Sequence, residues 1–235
     1  MRPTLERTQL RQQLLTRPRP TWALDPDLVL YLPFWNMPAG ESWLSQDAYG
    51  HTVTRVGALA TGQGGWFFDG SDDYATIPNA APLNITGTAI TFGAWVKVMG
   101  GALTNRFFIS KSDGGWNAYH LSVGDANGFR PHLYTGAGLT YWDSTIIPVV
   151  GAWNRVLVTY NGTQIQMYVN GSLDSSRAAT GNVGVNTGNL RVSTGRTIAE
   201  FPFNGYIGEV FVYKRALTAL DIWNTFQQER GRYGV

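Results

Sequence analysis

The sequence predicts an all-β protein, a two-sheet antiparallel sandwich preceded by a basic arm and followed by one short helix. Three observations carry this. From residue 27 onward, short segments of alternating apolar residues recur, separated by glycine, asparagine or proline. Two Asn-Gly dipeptides, Asn161-Gly162 and Asn170-Gly171, stand where such segments meet. The composition agrees: 28 glycines and 13% aromatic residues against 14% charged ones suit packed strands joined by tight turns, not disorder. A chain of 235 residues can bury one substantial sandwich core.

In chain order, residues 1–26 read as a partly helical arm and residues 27–235 as the sandwich. Between Pro3 and Pro18 lie good helix formers, and Leu5, Leu10 and Leu14 make a narrow apolar stripe. Residues 1–20 hold Arg2, Arg7, Arg11, Arg17 and Arg19 against Glu6, four net positive charges, while the whole chain carries only +2. The remainder is therefore net acidic. Two readings stay open, a solvated tail and an arm that docks on other copies or other particle proteins through leucine burial and arginine pairing. Five arginines without interleaved aromatics are a generic electrostatic footprint and do not point to nucleic acid.

Strand signals begin at Asp27–Leu32. The clearest pair follows Trp153, where Val156, Val158 and Tyr160, then Ile165, Met167 and Val169, each line one face. Asn161-Gly162 joins these two segments and predicts a type I′ turn, which needs positive φ at both central residues. Further strands fit Ile90–Val98, Phe107–Lys111, Ala118–Val123, Arg130–Tyr134, Asn189–Ser193 and Gly205–Tyr213. Trp95 and Trp153, inside strong strand segments, are assigned to the core. Near the end, Thr218 with Asp221 predicts a capped helix whose stripe is Ala219, Ile222, Trp223 and Phe226.

Composition also limits the chemistry. With no cysteine, disulfides and thiolate metal sites are excluded. His51, His120 and His132 have no metal-ligand spacing and read as polar loop or strand residues, against a zinc enzyme. No apolar run is long enough to span a membrane, and the N-terminus lacks the apolar core of a signal peptide, so synthesis and first folding are expected in the cytoplasm. The triplets at Asn84, Asn161 and Asn170 then read as turn residues, not glycosylation acceptors.

Several motifs in order carry a family resemblance: Asp47–His51 (DAYGH), Phe68–Tyr74 (FDGSDDY), Thr91–Lys97 (TFGAWVK), Ile109–Lys111 (ISK), Trp153–Thr163 (WNRVLVTYNGT), Met167–Gly171 (MYVNG) and Gly205–Thr218 (GYIGEVFVYKRALT). Together, over about residues 27–229, they resemble a laminin-G-like domain of the concanavalin A-like lectin and glucanase superfamily. That resemblance implies a jelly roll with one concave sheet. The opening Leu28–Pro33 (LVLYLP) is similar to stand-alone versions in phage virion and tail proteins.

The superfamily includes glucanases that present paired carboxylates at alternating strand positions. Here the glutamates are Glu6, Glu41, Glu200, Glu209 and Glu229, with no Glu-x-Asp or Glu-x-Glu among them, and no serine sits in a nucleophile elbow. The chain is therefore read as non-enzymatic. Laminin-G-like domains often bind calcium at a sandwich edge, which implies Asp69, Asp72 and Asp73 with Glu209 as its oxygen donors. Gly208 stands where many relatives have an aspartate, which weakens that site, and aspartates beside Gly70 and Ser71 also serve as plain turn residues. For carbohydrate, the candidates are Trp116 with Asn117 and Tyr119, and Tyr141 with Trp142, all in glycine-rich surroundings; packing is the competing role.

The expected function is a structural or adhesion protein of a virus particle, a capsid decoration or tail component made in the host cytoplasm and incorporated in the virion. A free carbohydrate-binding module is the alternative, and a glycoside hydrolase comes third. Expected partners are other virion proteins or further copies through the arm, and glycans; calcium is the one cofactor considered.

Overall fold

The computed structural model describes residues 25–37, 40–62, 64–100, 105–198 and 200–235. The arm residues Arg2, Leu5, Arg7, Leu10, Arg11, Leu14, Arg17 and Arg19 lie outside them. Where the described chain begins, Asp25 accepts from Arg215 at 2.6 Å, tying that end to the segment before the final helix.

Among the described residues, sixteen strands follow in order: β1 (Leu28–Leu32), β2 (Ser42–Leu44), β3 (Thr52–Val56), β4 (Leu59–Ala60), β5 (Trp66–Asp69), β6 (Tyr74–Ile77), β7 (Ile90–Val98), β8 (Arg106–Lys111), β9 (Tyr119–Val123), β10 (Phe129–Thr135), β11 (Gly138–Tyr141), β12 (Trp153–Tyr160), β13 (Gln164–Val169), β14 (Ser172–Ala178), β15 (Leu190–Val192) and β16 (Asn204–Tyr213). Helix α1 (Ala219–Tyr233) comes last. One sheet runs β14-β13-β12-β7-β16-β5-β4, with β1 also on β16; the other runs β11-β10-β9-β8-β15-β6-β3-β2. Every strand pair is antiparallel, as in the expected jelly-roll sandwich.

Period-two alternation builds the core. Ile90, Phe92, Ala94, Val96 and Val98 of β7 meet Phe108, Leu121 and Leu133 of the second sheet, and the expected inward residues of β12 and β13 join them. Each such side chain contributes roughly 1.5–3 kcal/mol through its removal from water. The opposite face of the first sheet is covered by α1. There Trp95 stacks on Phe226 at 5.8 Å and on Tyr233 at 4.2 Å between ring centres. Trp95 is fully buried, as expected, but beneath the helix, and Trp153 is only half-buried, edging Tyr233 at 4.7 Å. Neither joins the core between the sheets.

The helix begins where the sequence places it. Thr218 Oγ1 accepts from the Asp221 amide and Asp221 accepts from the Thr218 amide, a reciprocal capping box. Its buried residues are Ile222, Phe226, Glu229 and Tyr233, spaced by three or four. The expected stripe is corrected on this point: Ala219 and Trp223 remain exposed, because the face continues toward Glu229 and Tyr233.

The type I′ turn expected at Asn161-Gly162 is corrected by the structure. At Asn161-Gly162 only Gly162 has positive φ, and the Asn161 side chain instead accepts from the Thr163 and Gln164 amides across a longer loop. The type I′ pattern falls at the second dipeptide, where Asn170 and Gly171 have φ of 50° and 82° and Val169 pairs directly with Ser172.

Candidate functional site

The outer face of the second sheet holds the site. On β9, Tyr119, Leu121 and Val123 enter the core, so His120 and Ser122 face outward; on β10, Phe129 and Leu133 enter, so Arg130 and His132 face outward. Register then aligns His120, His132 and Tyr141 across three neighbouring strands. A bulge between Phe107 and Ile109 on β8 turns Phe107 to the same side while Phe108 and Ile109 both pack inward.

Two loops rise over this face. The first brings Trp116, stacked on His132 at 4.7 Å and 12°, with the Arg196 guanidinium 4.6 Å from its ring centre. The second brings Phe201, whose carbonyl accepts from the Phe107 amide at 3.1 Å. Between them opens a cleft of about 290 Å³. Tyr141 and Phe201 on its walls are 56% and 43% exposed, which leaves ring surface for a ligand. Trp116, half-buried and packed by His132 and Arg196, is a wall, whereas Tyr141 stacks on His132 at 5.6 Å and still keeps more than half its surface free.

The polar groups of the cleft are preset. Arg130 donates to Asp143 through Nε at 2.5 Å and to Asp125 through Nη1 at 2.7 Å, and Asn105 Nδ2 donates to Asp125 at 2.6 Å. The hydrogen bond from Arg130 holds the Asp125 carboxyl below its ordinary value. The two lips are conformationally unusual, because Asn105 and Phe201 have φ of 53° and 49°. Asparagine tolerates this region, but for a bulky phenylalanine it costs on the order of 1 kcal/mol, a strain of the kind stored at binding sites.

Beneath lie two buried histidines. Burial, aided by the Arg130 charge, pushes His132 down to about 3, and burial holds His120 well below the ordinary imidazole range, so both rings are neutral at neutral pH. His120 Nδ1 sits 2.9 Å from Ser110 Oγ, while His120 Nε2 and His132 Nδ1 are buried without a hydrogen-bond partner among the described residues.

Of the residues singled out for carbohydrate, Trp116 and Tyr141 meet in this cleft. Tyr119 does not: it is fully buried and donates to the Leu83 carbonyl, as its inward register demands. Trp142, one residue beyond Tyr141, points to the other side and donates to Ser175. Asn117 bonds Asp113 and Asn186 and braces the loop carrying Trp116. Phe107, Arg130, His132, Asn105, Asp125 and Phe201 escaped the sequence reading. Alternation around Leu121 and Leu133 signals the outward histidine and arginine; the bulge and the distant loop leave no local signal.

The acidic candidates separate. Carboxylate oxygens of Asp69, Asp72 and Asp73 lie within 4.8 Å of one another, while Asp73 accepts from the Asp69 amide and Asp69 from the Ser71 amide. Burial, with the Asp69 and Asp72 charges, raises the Asp73 carboxyl. Glu209 is not part of this group. Asn204, not Glu209, lies opposite Asp69, and Glu209 is fully buried beneath α1, accepting from the Tyr31 hydroxyl at 2.8 Å. The Gly208 departure has a packing reason, since a Cβ there would lie 2.4 Å from the Tyr233 ring.

Comparison with known proteins agrees with this architecture. No curated protein matches the chain in sequence. Among solved structures, the ligand-binding domain of botulinum neurotoxin serotype D in complex with N-acetylneuraminic acid superposes with a TM-score of 0.68 at 13% identity, over 88% of this chain and 52% of that one. The binding domain of Paraclostridial Mosquitocidal Protein 1 gives 0.63 at 12% identity, over 86% and 52%. A structure of botulinum neurotoxin type C, whose cell entry is described as dependent upon interaction with two ganglioside molecules, gives 0.62 at 13%, over 86% and 51%. The chain thus spans about half the length of these structures, and the likeness is one of fold. A laminin-G-type family model described as the concanavalin A-like lectin/glucanases superfamily matches residues 69–223. Most of the sandwich is thereby covered, and the chain belongs to that superfamily.

Proposed function

We propose that this protein is a non-enzymatic glycan-binding module and that the cleft between Tyr141 and Phe201 takes the sugar. The observation that carries the reading is the pairing of two exposed rings with a prearranged Asn105–Asp125–Arg130 set between them. Sugars stack their apolar faces on rings and direct their hydroxyls to fixed polar groups. Because the polar set is already locked by its own hydrogen bonds, little ordering is left to be done on binding. Glycan ligands of the similarly folded neurotoxin domains support the same class of ligand.

The test is a glycan array followed by calorimetry on the strongest binder. Tyr141→Ala and Phe201→Ala are each expected to weaken binding about tenfold or more, with thermal unfolding unchanged at Tyr141, which is the more exposed. Undiminished affinity in the double variant refutes the cleft.

As a setting for such binding, adhesion from a virus particle is the second reading, favoured by the arm that the sequence sets apart from the sandwich. Deleting residues 1–20 is expected to abolish particle association and to leave glycan affinity intact. Particle occupancy that survives the deletion removes that reading.

A further inference from the structure

Beside the cleft lies a second, shallower depression of about 430 Å³, lined by Ser112, Asp113, Gly188, Arg191 and Arg196 among others. The two spaces share a wall. Arg196 lies against Trp116, which lines the cleft, and its backbone carbonyl accepts from Arg191 Nη1 at 2.9 Å. The charge balance differs between them. In the cleft, Arg130 is matched by Asp125 and Asp143. In the depression, Arg196 is matched by Glu200, but Arg191 meets carbonyl oxygens, those of Ser112 at 3.2 Å and Arg196.

A second cation lies alongside. Lys111 is fully buried, and its ammonium donates to Asn79 Oδ1, the Asn186 carbonyl and Oδ1, and the Gly188 carbonyl, at 2.7–3.1 Å. All four acceptors are neutral. Burial lowers its pKa to about 8, which leaves it charged at neutral pH. Against Lys111 and Arg191 the lining contributes Asp113, itself bonded to Asn117. The walls are held close: a Cβ at Gly188 would lie 1.7 Å from the Ser112 carbonyl oxygen.

We propose that this depression is an anion subsite, in which Arg191 receives the carboxylate or sulfate ester of an acidic oligosaccharide whose neutral ring occupies the cleft. The inference rests on the glycan reading of the cleft. Its physical basis is that a guanidinium held on one side by carbonyls keeps its remaining N–H groups for a charge-assisted bond, stronger than a hydroxyl bond and open to a two-point contact.

The experiment uses the full chain and a panel of oligosaccharides matched in their neutral cores: unsubstituted, carboxylate-bearing (N-acetylneuraminic acid or uronate) and sulfated. At low salt an acidic member is expected to bind about tenfold more tightly than its neutral match, with the advantage shrinking as salt rises. Arg191→Gln should erase that advantage and leave the neutral affinity within about twofold; Arg191→Lys, which keeps the charge and loses the fork, should retain part of it. Tyr141→Ala should weaken neutral and acidic members alike. Gain from carboxylate alone, or from sulfate alone, supports the subsite and identifies the anion. Neutral binding without acidic preference, or a preference that survives Arg191→Gln, overturns the subsite and leaves the cleft standing. Absence of binding by every member overturns both.

Discussion

Replacing Glu209 by glutamine should stabilise the protein at pH 8 and have little effect at pH 5. Glu209 is fully buried on β16, where Tyr31 donates to one carboxyl oxygen and the other has no partner among the described residues. Its neighbour Glu229 already takes the charge of Arg155 at 3.0 Å and the Trp95 indole at 2.7 Å. Burial first, and the Glu229 charge second, push Glu209 up to about 8 from the usual 4.5. The folded state therefore holds a proton that the unfolded chain releases between those values. Stability is fully present below pH 4.5 and falls as pH rises, by about 1.4 kcal/mol per unit, until the folded group ionises near 8. Between pH 5 and 8 the difference between the wild-type protein and the Glu209→Gln variant should accordingly grow by roughly 3–4 kcal/mol. The amide is isosteric and still accepts from Tyr31, so the pH dependence isolates the charge. Urea unfolding at four pH values reads it, and an equal difference at pH 5 and pH 8 would falsify the claim that Glu209 is protonated when folded.

Further outcomes follow from the same structure. Gly208→Ala should cost about 1–3 kcal/mol, because the new Cβ meets the Tyr233 ring; an unchanged urea midpoint would show that the helix yields freely. His120 and His132 act in the opposite sense to Glu209: burial depresses both folded pKa values, so their contribution to stability is complete above pH 6.5 and is lost as pH falls, for His132 toward its folded value of about 3. His132 contributes a slope of about 1.4 kcal/mol per unit there, and His132→Gln should flatten the acid limb; an unaltered limb contradicts neutral burial. For calcium, calorimetry on metal-free protein decides between ion site and turn. Heat at millimolar calcium that disappears in Asp69→Ala supports the ion, and a flat titration leaves the three aspartates as turn formers.

What was legible in the sequence depended on where each signal is stored. Ile90–Val98 was readable to the residue, because a strand between two covered faces shows long apolar alternation. Strand β14 was not: Ser172–Ala178 is an edge strand with little buried on either face, so no period-two pattern exists to find. The two Asn-Gly dipeptides marked two hairpins, but the type I′ turn expected at Asn161-Gly162 formed at Asn170-Gly171, since turn type depended on the length left after pairing register was set. In the cleft, Trp116 and Tyr141 stood out as aromatics among glycines. Phe201 and Asn105 reach the same space only through long-range closure, and the misjudged Tyr119 and Trp142 each lie one step out of register with the outward face.

The two sheets explain why the proposed binding is assigned to one side of this molecule and not the other. Both outer faces carry polar or charged side chains that the sandwich core cannot absorb. On the first sheet α1 closes over Arg155, Glu209 and Glu229 and supplies one of those carboxylates itself, so the covering element and the buried charges belong to one network. Such a network gains nothing from a ligand. On the second sheet no helix among the described residues performs that task, and loops carrying Trp116 and Phe201 cover the histidines while leaving Tyr141 and Asp125 exposed to solvent. Two histidine nitrogens remain without partners there, and a bulky residue is held in left-handed geometry at the lip. Stored strain and free ring surface coincide at one place, and a ligand that offers an apolar face covers the exposed rings while its hydroxyl groups reach the Asp125 side of the cleft.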